Sequence, residues 1–304
     1  MRSQRVVAVM WIALAAACGA RTGLLGPEEM DASVDSGLLD VHDAKKDTAD
    51  VLDAMDAPED VVFPDVPIIS DCPDAGDTLV YLLGTGSELY SFEPTTLKFK
   101  HINTISCPQT TSGPNSMAVT RSGIAFTSFH DGNLFEVSTA NGACKSTPYK
   151  PNQLGWTTYG MGYAADSDGG ETLYVAGLGQ TQSKGLGFID TTKFTLTSIH
   201  DFQPPQFNCE LTGTGAGDLY GFCPFGSGAW LVHIDKTDGT ILDSHQVSAG
   251  GSNVSWAFAF WGGDFWLFTN NIVTKYDPVS QTETKVATAP FNIVGAGVST
   301  CAPL

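Results

Sequence analysis

One phrase, an alternating strand that runs into a turn, occurs five times in this chain: Leu89-Tyr-Ser-Phe92-Glu-Pro-Thr-Thr, Leu134-Phe-Glu-Val137-Ser-Thr-Ala-Asn, Leu186-Gly-Phe-Ile189-Asp-Thr-Thr-Lys, Leu231-Val-His-Ile234-Asp-Lys-Thr-Asp and Val273-Thr-Lys-Tyr276-Asp-Pro-Val-Ser. The fourth members stand 45, 52, 45 and 42 residues apart. Asn141-Gly142 and Asp238-Gly239 supply hairpin-turn chemistry at the end of the phrase. A second phrase, two short strands split by a glycine turn, precedes each of the last four copies, as in Met117 to Thr127, Leu211 to Gly221 and Phe258 to Phe268. Four strands in a repeat of this length is the pattern of a β-propeller blade.

The two extremities of the repeat region complement each other. Thr78 to Leu83 matches the second strand of a blade and has no first strand before it. Ile293 to Thr300 matches a first strand and has no second after it. The predicted fold is therefore all-β, a five-bladed propeller closed by its C-terminal strand, which removes a sheet edge that would otherwise template aggregation. A solenoid shares the fixed period but predicts atypical capping ends. Of 31 aromatic residues, 29 lie in 78–304, and no helix-period run there exceeds two turns.

Cysteine placement points to the same ring. Cys209 and Cys223 flank Glu210 to Phe222 symmetrically about the Gly215-Ala216-Gly217 turn and should face each other across that hairpin. Cys72 precedes the second strand of the first blade and Cys301 follows the strand supplied from the C-terminus, so a bond between them would replace the missing hairpin loop. Cys107 and Cys144 pair by elimination, from corresponding outer-strand ends of neighbouring blades. Zinc has no support, since no Cys-x-x-Cys is present.

Ahead of the repeats lies a different kind of chain. Arg2 and Arg5 precede an apolar run, Val6 to Ala17, that is too short for a bilayer span and reads as a secretion signal. Its end, Leu14-Ala15-Ala16-Ala17-Cys18-Gly19, resembles a bacterial lipoprotein signal peptide, whose cysteine is lipidated and becomes the mature N-terminus. Cys18 would be that residue, although Leu14 stands one step earlier than the family places it. Ala15-Ala16-Ala17 also fits ordinary signal-peptidase cleavage. Gly19 resembles the residue found there in lipoproteins sorted to the outer membrane. Residues 19–77 then hold 16 acids, three bases and one aromatic, Phe63, which predicts a disordered tether. Asp40, Asp43, Asp47, Asp50, Asp53 and Asp56 repel one another and extend it, and without an Asp-x-Asp-x-Asp-Gly loop they read as a solvated spacer. The domain expectations are a signal peptide with lipidation Cys over 1–18, an acidic linker over 19–71 and a propeller over 72–304. The net charge of −18, with no basic stretch beyond the first residues, excludes sequence-independent nucleic-acid binding.

Three phrases, Glu210-Leu-Thr-Gly-Thr-Gly215, Ala257 to Phe265 and Val294 to Pro303, resemble those of uncharacterised lipoproteins of myxobacteria and their relatives, in which a lipidated N-terminus and acidic linker precede a propeller-like domain. The resemblance implies that fold and a cell-envelope address, and no activity.

Catalytic motifs are absent: no Gly-x-Ser-x-Gly elbow, no phosphate-binding Gly-rich loop with Lys and no His-Glu-x-x-His. His42, His101, His130, His200, His233 and His245 are scattered, and His130 opens the Asp131-Gly132-Asn133 turn. Asp166, Asp168 and Glu171 share a glycine loop that could hold Ca²⁺ but reads first as a hairpin turn. Trp256, Phe258, Phe260, Trp261, Phe265, Trp266 and Phe268 suit a blade core better than a stacking platform. Trp156 and Tyr159, in the loop that enters the third blade, are the candidates for stacking on a ligand. Asn115, Asn208, Asn253 and Asn292 each precede an inner strand and could ring the channel mouth, or merely shape turns. Glu210 is the only acid in an inner strand.

The functional expectation is a noncatalytic module that binds a small ligand, glycan or envelope protein at the channel face, with no cofactor. The alternatives are a lyase or hydrolase using Glu210 with a loop histidine or a Ca²⁺ site, and a structural envelope protein without ligand.

Overall fold

The computed structural model describes Cys72 and residues 78–304, apart from 109, 179–182, 203–207 and 252–253. The expectations for 1–18, Cys18 and the linker over 19–71 lie outside the described residues, as does that for Asn253.

Five antiparallel four-stranded sheets make up the described chain. The first blade contains β1 (Val80–Gly84), β2 (Glu88–Glu93) and β3 (Lys98–Thr104). The second is β4 (Pro114–Val119), β5 (Ile124–Phe129), β6 (Leu134–Ser138) and β7 (Cys144–Ser146). The third is β8 (Thr158–Ala165), β9 (Glu171–Leu178), β10 (Ser183–Asp190) and β11 (Thr195–His200). The fourth is β12 (Glu210–Gly213), β13 (Leu219–Phe225), β14 (Gly228–Ile234) and β15 (Ile241–Val247). The fifth is β16 (Trp256–Trp261), β17 (Asp264–Thr269), β18 (Ile272–Asp277) and β19 (Thr282–Thr288). The last strand, β20 (Ile293–Val298), completes the first blade in the order β20-β1-β2-β3. Its register runs from Val80 opposite Val298 to Leu83 opposite Gly295. The molecule is a five-bladed β-propeller closed by its C-terminal strand, with β4, β8, β12, β16 and β20 packed side by side around the axis.

Burial explains which residues build which strand. The first two strands of a blade are covered on both faces by neighbouring blades, so they need apolar side chains in both directions. Phe265 to Thr269 in β17 and Ala125 to Phe129 in β5 are accordingly buried at every position. The outermost strands β3, β15 and β19 are mostly exposed or half-exposed and carry Lys, Thr, Asp and Glu. Buried apolar side chains fall into five clusters, one at each junction between blades. At the closing junction, Phe92 of the first blade packs edge-on to Trp266 and Phe268 of the fifth, with ring centroids 5.4 and 6.0 Å apart.

The acid that follows the recurring phrase has a structural reason. In β10, β14 and β18 it is Asp190, Asp235 and Asp277, whose Oδ1 accepts the N–H of the residue two positions on at 2.8 to 2.9 Å. Each of these Asx turns begins the hairpin to the outer strand.

Three disulfides join Cys72 to Cys301, Cys107 to Cys144 and Cys209 to Cys223. The first ties the two extremities of the ring, with Cα atoms 5.2 Å apart. Disulfides at this density fit a protein exported to an oxidising compartment.

Candidate functional site

The inner strands all run the same way along the axis. Gly160 of β8 lies against Cys209 and Glu210 of β12, and Gly162 against Leu211 and Thr212, while Gly295 and Gly297 of β20 step along β4 in the same sense. A Cβ at Gly162 would stand 2.6 Å from the Leu211 carbonyl oxygen, so glycine is what lets these two backbones approach. Because the strands are parallel, their N-terminal ends share one face, and the residues entering them converge at one mouth.

That mouth holds two adjoining cavities of about 240 and 180 Å³. Asn115, His130, Glu210 and Trp256 line both, so the two form one depression. Asn208 and Thr158 edge the larger part, Ser255 and Val294 the smaller.

Glu210 is the chemical centre of the depression. It is buried, and its Oε2 accepts the Ser116 hydroxyl at 2.5 Å. Ser116 Oγ in turn accepts the Met161 N–H at 3.1 Å, so residues of three successive inner strands meet at this carboxyl. Burial pushes the Glu210 carboxyl well above the ordinary carboxylate range, against the opposing hydrogen bond from Ser116. Burial therefore favours the protonated form of this carboxyl. Beside it, the Asn115 side-chain amide donates to the Tyr159 carbonyl at 2.9 Å and to Ser128 Oγ at 3.3 Å, which fixes its orientation.

Asn115, Asn208 and Glu210 meet at this depression. Trp156 is a core residue, 1% exposed, and does not reach the channel. Its indole fills the space over Gly177 and Gly187, where any Cβ would collide with the ring. A single 3-10 turn at Gln153–Gly155, entered through Asn152 at φ 63°, turns the chain inward just before it. Tyr159 also packs its ring inside, edge-on to Tyr149 at 6.2 Å, and meets the mouth through its backbone. Burial drives its phenol well above the ordinary tyrosine range. Asn292 lines neither cavity, and its carbonyl accepts the Thr85 N–H at 3.0 Å in the closing blade.

Trp256 and His130 are the mouth residues the sequence reading assigned elsewhere. Trp256 opens β16, as Glu210 opens β12, so its position at an inner-strand start was the available signal. Its neighbours in the aromatic run divide by depth: Phe258, Phe265, Trp266 and Phe268 are buried, whereas Trp256, Phe260 and Trp261 are half-buried. His130 does sit at the turn after β5, where its N–H donates to the Gly113 carbonyl, and that turn carries the imidazole to the rim.

The opposite end of the channel is cross-braced. Arg121 donates to Thr300 Oγ1 at 2.7 Å and to the Gly169 carbonyl at 2.6 Å. Glu171 accepts the Arg121 N–H and the Thr300 hydroxyl. The Asp166-to-Glu171 segment is the β8–β9 hairpin turn, in which Asp166 accepts the Thr172 hydroxyl and Asp168 the Gly170 N–H. Lys236 also reaches Asp166, at 3.8 Å. Polar groups are thus matched to one another at the base and left facing a cavity at the mouth.

No family model matches the chain, and no curated protein is similar to it. Many solved structures resemble it distantly, these two among them. One is the extracellular domain of a putative one-component system from B. thetaiotaomicron, with 13% identity over 73% of this chain, 28% of that chain and a TM-score of 0.39. The other is Kuenenia stuttgartiensis hydrazine synthase, with 12% identity over 71% of this chain, 64% of that chain and a TM-score of 0.40. Likenesses this distant bear on neither ligand nor reaction.

Proposed function

We propose that this chain is an exported propeller, anchored through lipid on Cys18 at the outer membrane, whose channel mouth binds a small neutral polyhydroxylated ligand, such as a glycan end, without turning it over. The observation that carries the reading is the depression in which Glu210, Asn115, His130 and Trp256 meet. A buried carboxyl, two amides and an imidazole offer hydrogen-bond donors and acceptors, which suits hydroxyl groups. The Trp256 indole supplies an apolar surface for the ring face of a sugar. The three disulfides support export, and the lipoprotein-like signal supports the anchor.

A glycan and metabolite panel titrated calorimetrically into the purified protein tests the site. Binding should weaken roughly tenfold or more in Trp256→Ala and in an Asn208→Ala/Glu210→Gln double variant, as for the anchors of other interfaces. An unchanged binding profile in both variants overturns the assignment. The anchor is tested separately, since Cys18→Ser should release the protein from membranes.

A second reading has one observation behind it: a carboxylic acid and an imidazole, Glu210 and His130, share both cavities. Turnover of any panel member that disappears in His130→Ala while affinity persists would make the protein a propeller-type lyase or hydrolase.

A further inference from the structure

A cavity that gathers aromatic and titratable side chains lies away from the mouth. It lies between the fourth and fifth blades, has a volume of about 340 Å³, and is lined by Tyr220, His233, Asp243 and His245 from one blade and Phe260 and Tyr276 from the other. Sheet register explains how these side chains come together. Tyr220 on β13 stands opposite His233 on β14, which stands opposite Asp243 on β15. Asp243 and His245 are two residues apart on one strand, so they share the same face. From the other side of the groove, Phe260 stacks nearly parallel to Tyr220, at 6.0 Å and 20°, and Phe265 closes the floor edge-on to Tyr220 at 4.9 Å.

Asp243 is the one carboxylate in the lining, beside the His233 and His245 imidazoles. No Lys or Arg lines the cavity. Asp243 is held ionised by the Ser244 N–H at 2.8 Å, with His245 Nε2 2.9 Å from its Oδ2. Burial raises the Tyr276 phenol, and the negative charges of Glu283, Asp243 and Asp277 raise it further. Burial likewise raises Tyr220, with Asp218 adding to it. Carboxylates thus stand near both phenols, Asp218 and Asp243 from one blade and Asp277 and Glu283 from the other. Aromatic rings with electron-rich faces beside an ionised carboxylate form a receptor for a cation that has an apolar body.

We propose that this inter-blade groove is a second binding site, independent of the channel mouth, that takes a small organic cation of the alkylammonium class. A quaternary ammonium such as choline has the right chemistry. Its methyl groups pack against Tyr220, Phe260 and Tyr276, its charge is balanced by Asp243, and its hydroxyl can reach the His233 or His245 imidazole. A sugar would use the rings but not the charge, and an anion would meet carboxylates.

Choline and its uncharged carbon isostere, 3,3-dimethylbutan-1-ol, differ in little but the positive charge, so a paired titration of the purified full-length protein separates charge recognition from apolar filling. Ligand-detected NMR and calorimetry should show choline binding at least about tenfold tighter than the isostere, with arginine as a second cation to size the site. Asp243→Asn should weaken choline about fivefold or more and leave the isostere unchanged, and Phe260→Leu should weaken both. Asp243 is exposed, so its Asn variant should melt with the parent, which keeps the test clear of misfolding. Equal binding of choline and isostere, or choline binding untouched by Asp243→Asn, overturns the proposal. So does a loss of choline binding in the mouth variant Trp256→Ala with none in Asp243→Asn.

Discussion

Glu210 and the turn aspartates show two opposite ways in which this fold sets carboxyl chemistry. Glu210 is raised by burial, so its contribution to stability is complete below the ordinary carboxylate value, about 4.3, and is lost as pH rises through its raised folded value. Glu210→Gln keeps an acceptor for the Ser116 hydroxyl and removes the proton. The variant should therefore gain on the parent in melting temperature as pH rises from about 5 to 9, and curves that stay parallel would contradict a carboxyl raised by burial. Asp190, Asp235 and Asp277 go the other way. Hydrogen bonds from the hydroxyls of Thr192, Thr237 and Ser280 respectively lead the causes that lower them. Their contribution is present above the ordinary Asp value and disappears as pH falls through the lowered one. Because Asn also accepts at an Asx turn, the triple Asp→Asn variant should melt near the parent at pH 7 and show a shallower loss of stability between about pH 4 and 2. Asn115, Asn208 and Glu210 were legible because each lies within two residues of the start of an inner strand. The direction of the Trp156 ring was not, because the space it fills is made by Gly177 and Gly187 on two other strands.

The closing strand is the element on which the ring depends. β20 pairs with β1 along five residues and packs against β4 and β16 on either side. Its role was readable from the sequence because a strand type was missing at one extremity and surplus at the other. What could not be read is how tightly it sits: Gly295 and Gly297 press on the backbone of β4, a distance set by the partner strand and not by β20 itself. Cys72–Cys301 locks this junction across a sequence separation of 229, for which the chain-entropy model gives about 5 kcal/mol. Cys301→Ser should still fold, since the ladder and the Phe92–Trp266 packing remain, but with a lower denaturant midpoint and a steeper denaturant slope, because the uncrosslinked unfolded chain exposes more surface. A shallower slope would mean that the bond also holds the blade in the ring, beyond limiting the unfolded chain. Reduction of Cys209–Cys223 should perturb the mouth instead, because Cys209 lies directly beside Glu210 and lines the larger cavity.

At the scale of the whole molecule, five near-equal junctions make every blade structurally similar, yet the chemistry is concentrated at two places. Repeats predict the first fact and hide the second: the groove between the fourth and fifth blades adds Asp243 to an aromatic pair, Tyr220 and Phe260, whose counterparts between the second and third blades are Phe126 and Tyr163, and the other blades have Lys or Thr where it has Asp243. A ring held by junctions, with its extremities joined, has no privileged starting point. The Cα atoms of Cys72 and Cys301 are 5.2 Å apart, so a short linker can join those positions, and a new opening can be cut between Gly226 and Ser227 at the exposed β13–β14 turn. The permutant transfers closure to the fourth blade, with β13 arriving from one extremity and β14 from the other. It should fold cooperatively and keep the mouth, the groove and the near-ultraviolet dichroism of the buried aromatics. A chain truncated after Thr288 loses β20, leaving an unpaired edge on β1 and uncovering the apolar faces of β4 and β16, and should aggregate or expose dye-binding surface. If instead the truncated chain stays monomeric and melts cooperatively while the permutant fails to fold, the blades are stabilised individually, and circular closure is not what holds this molecule together.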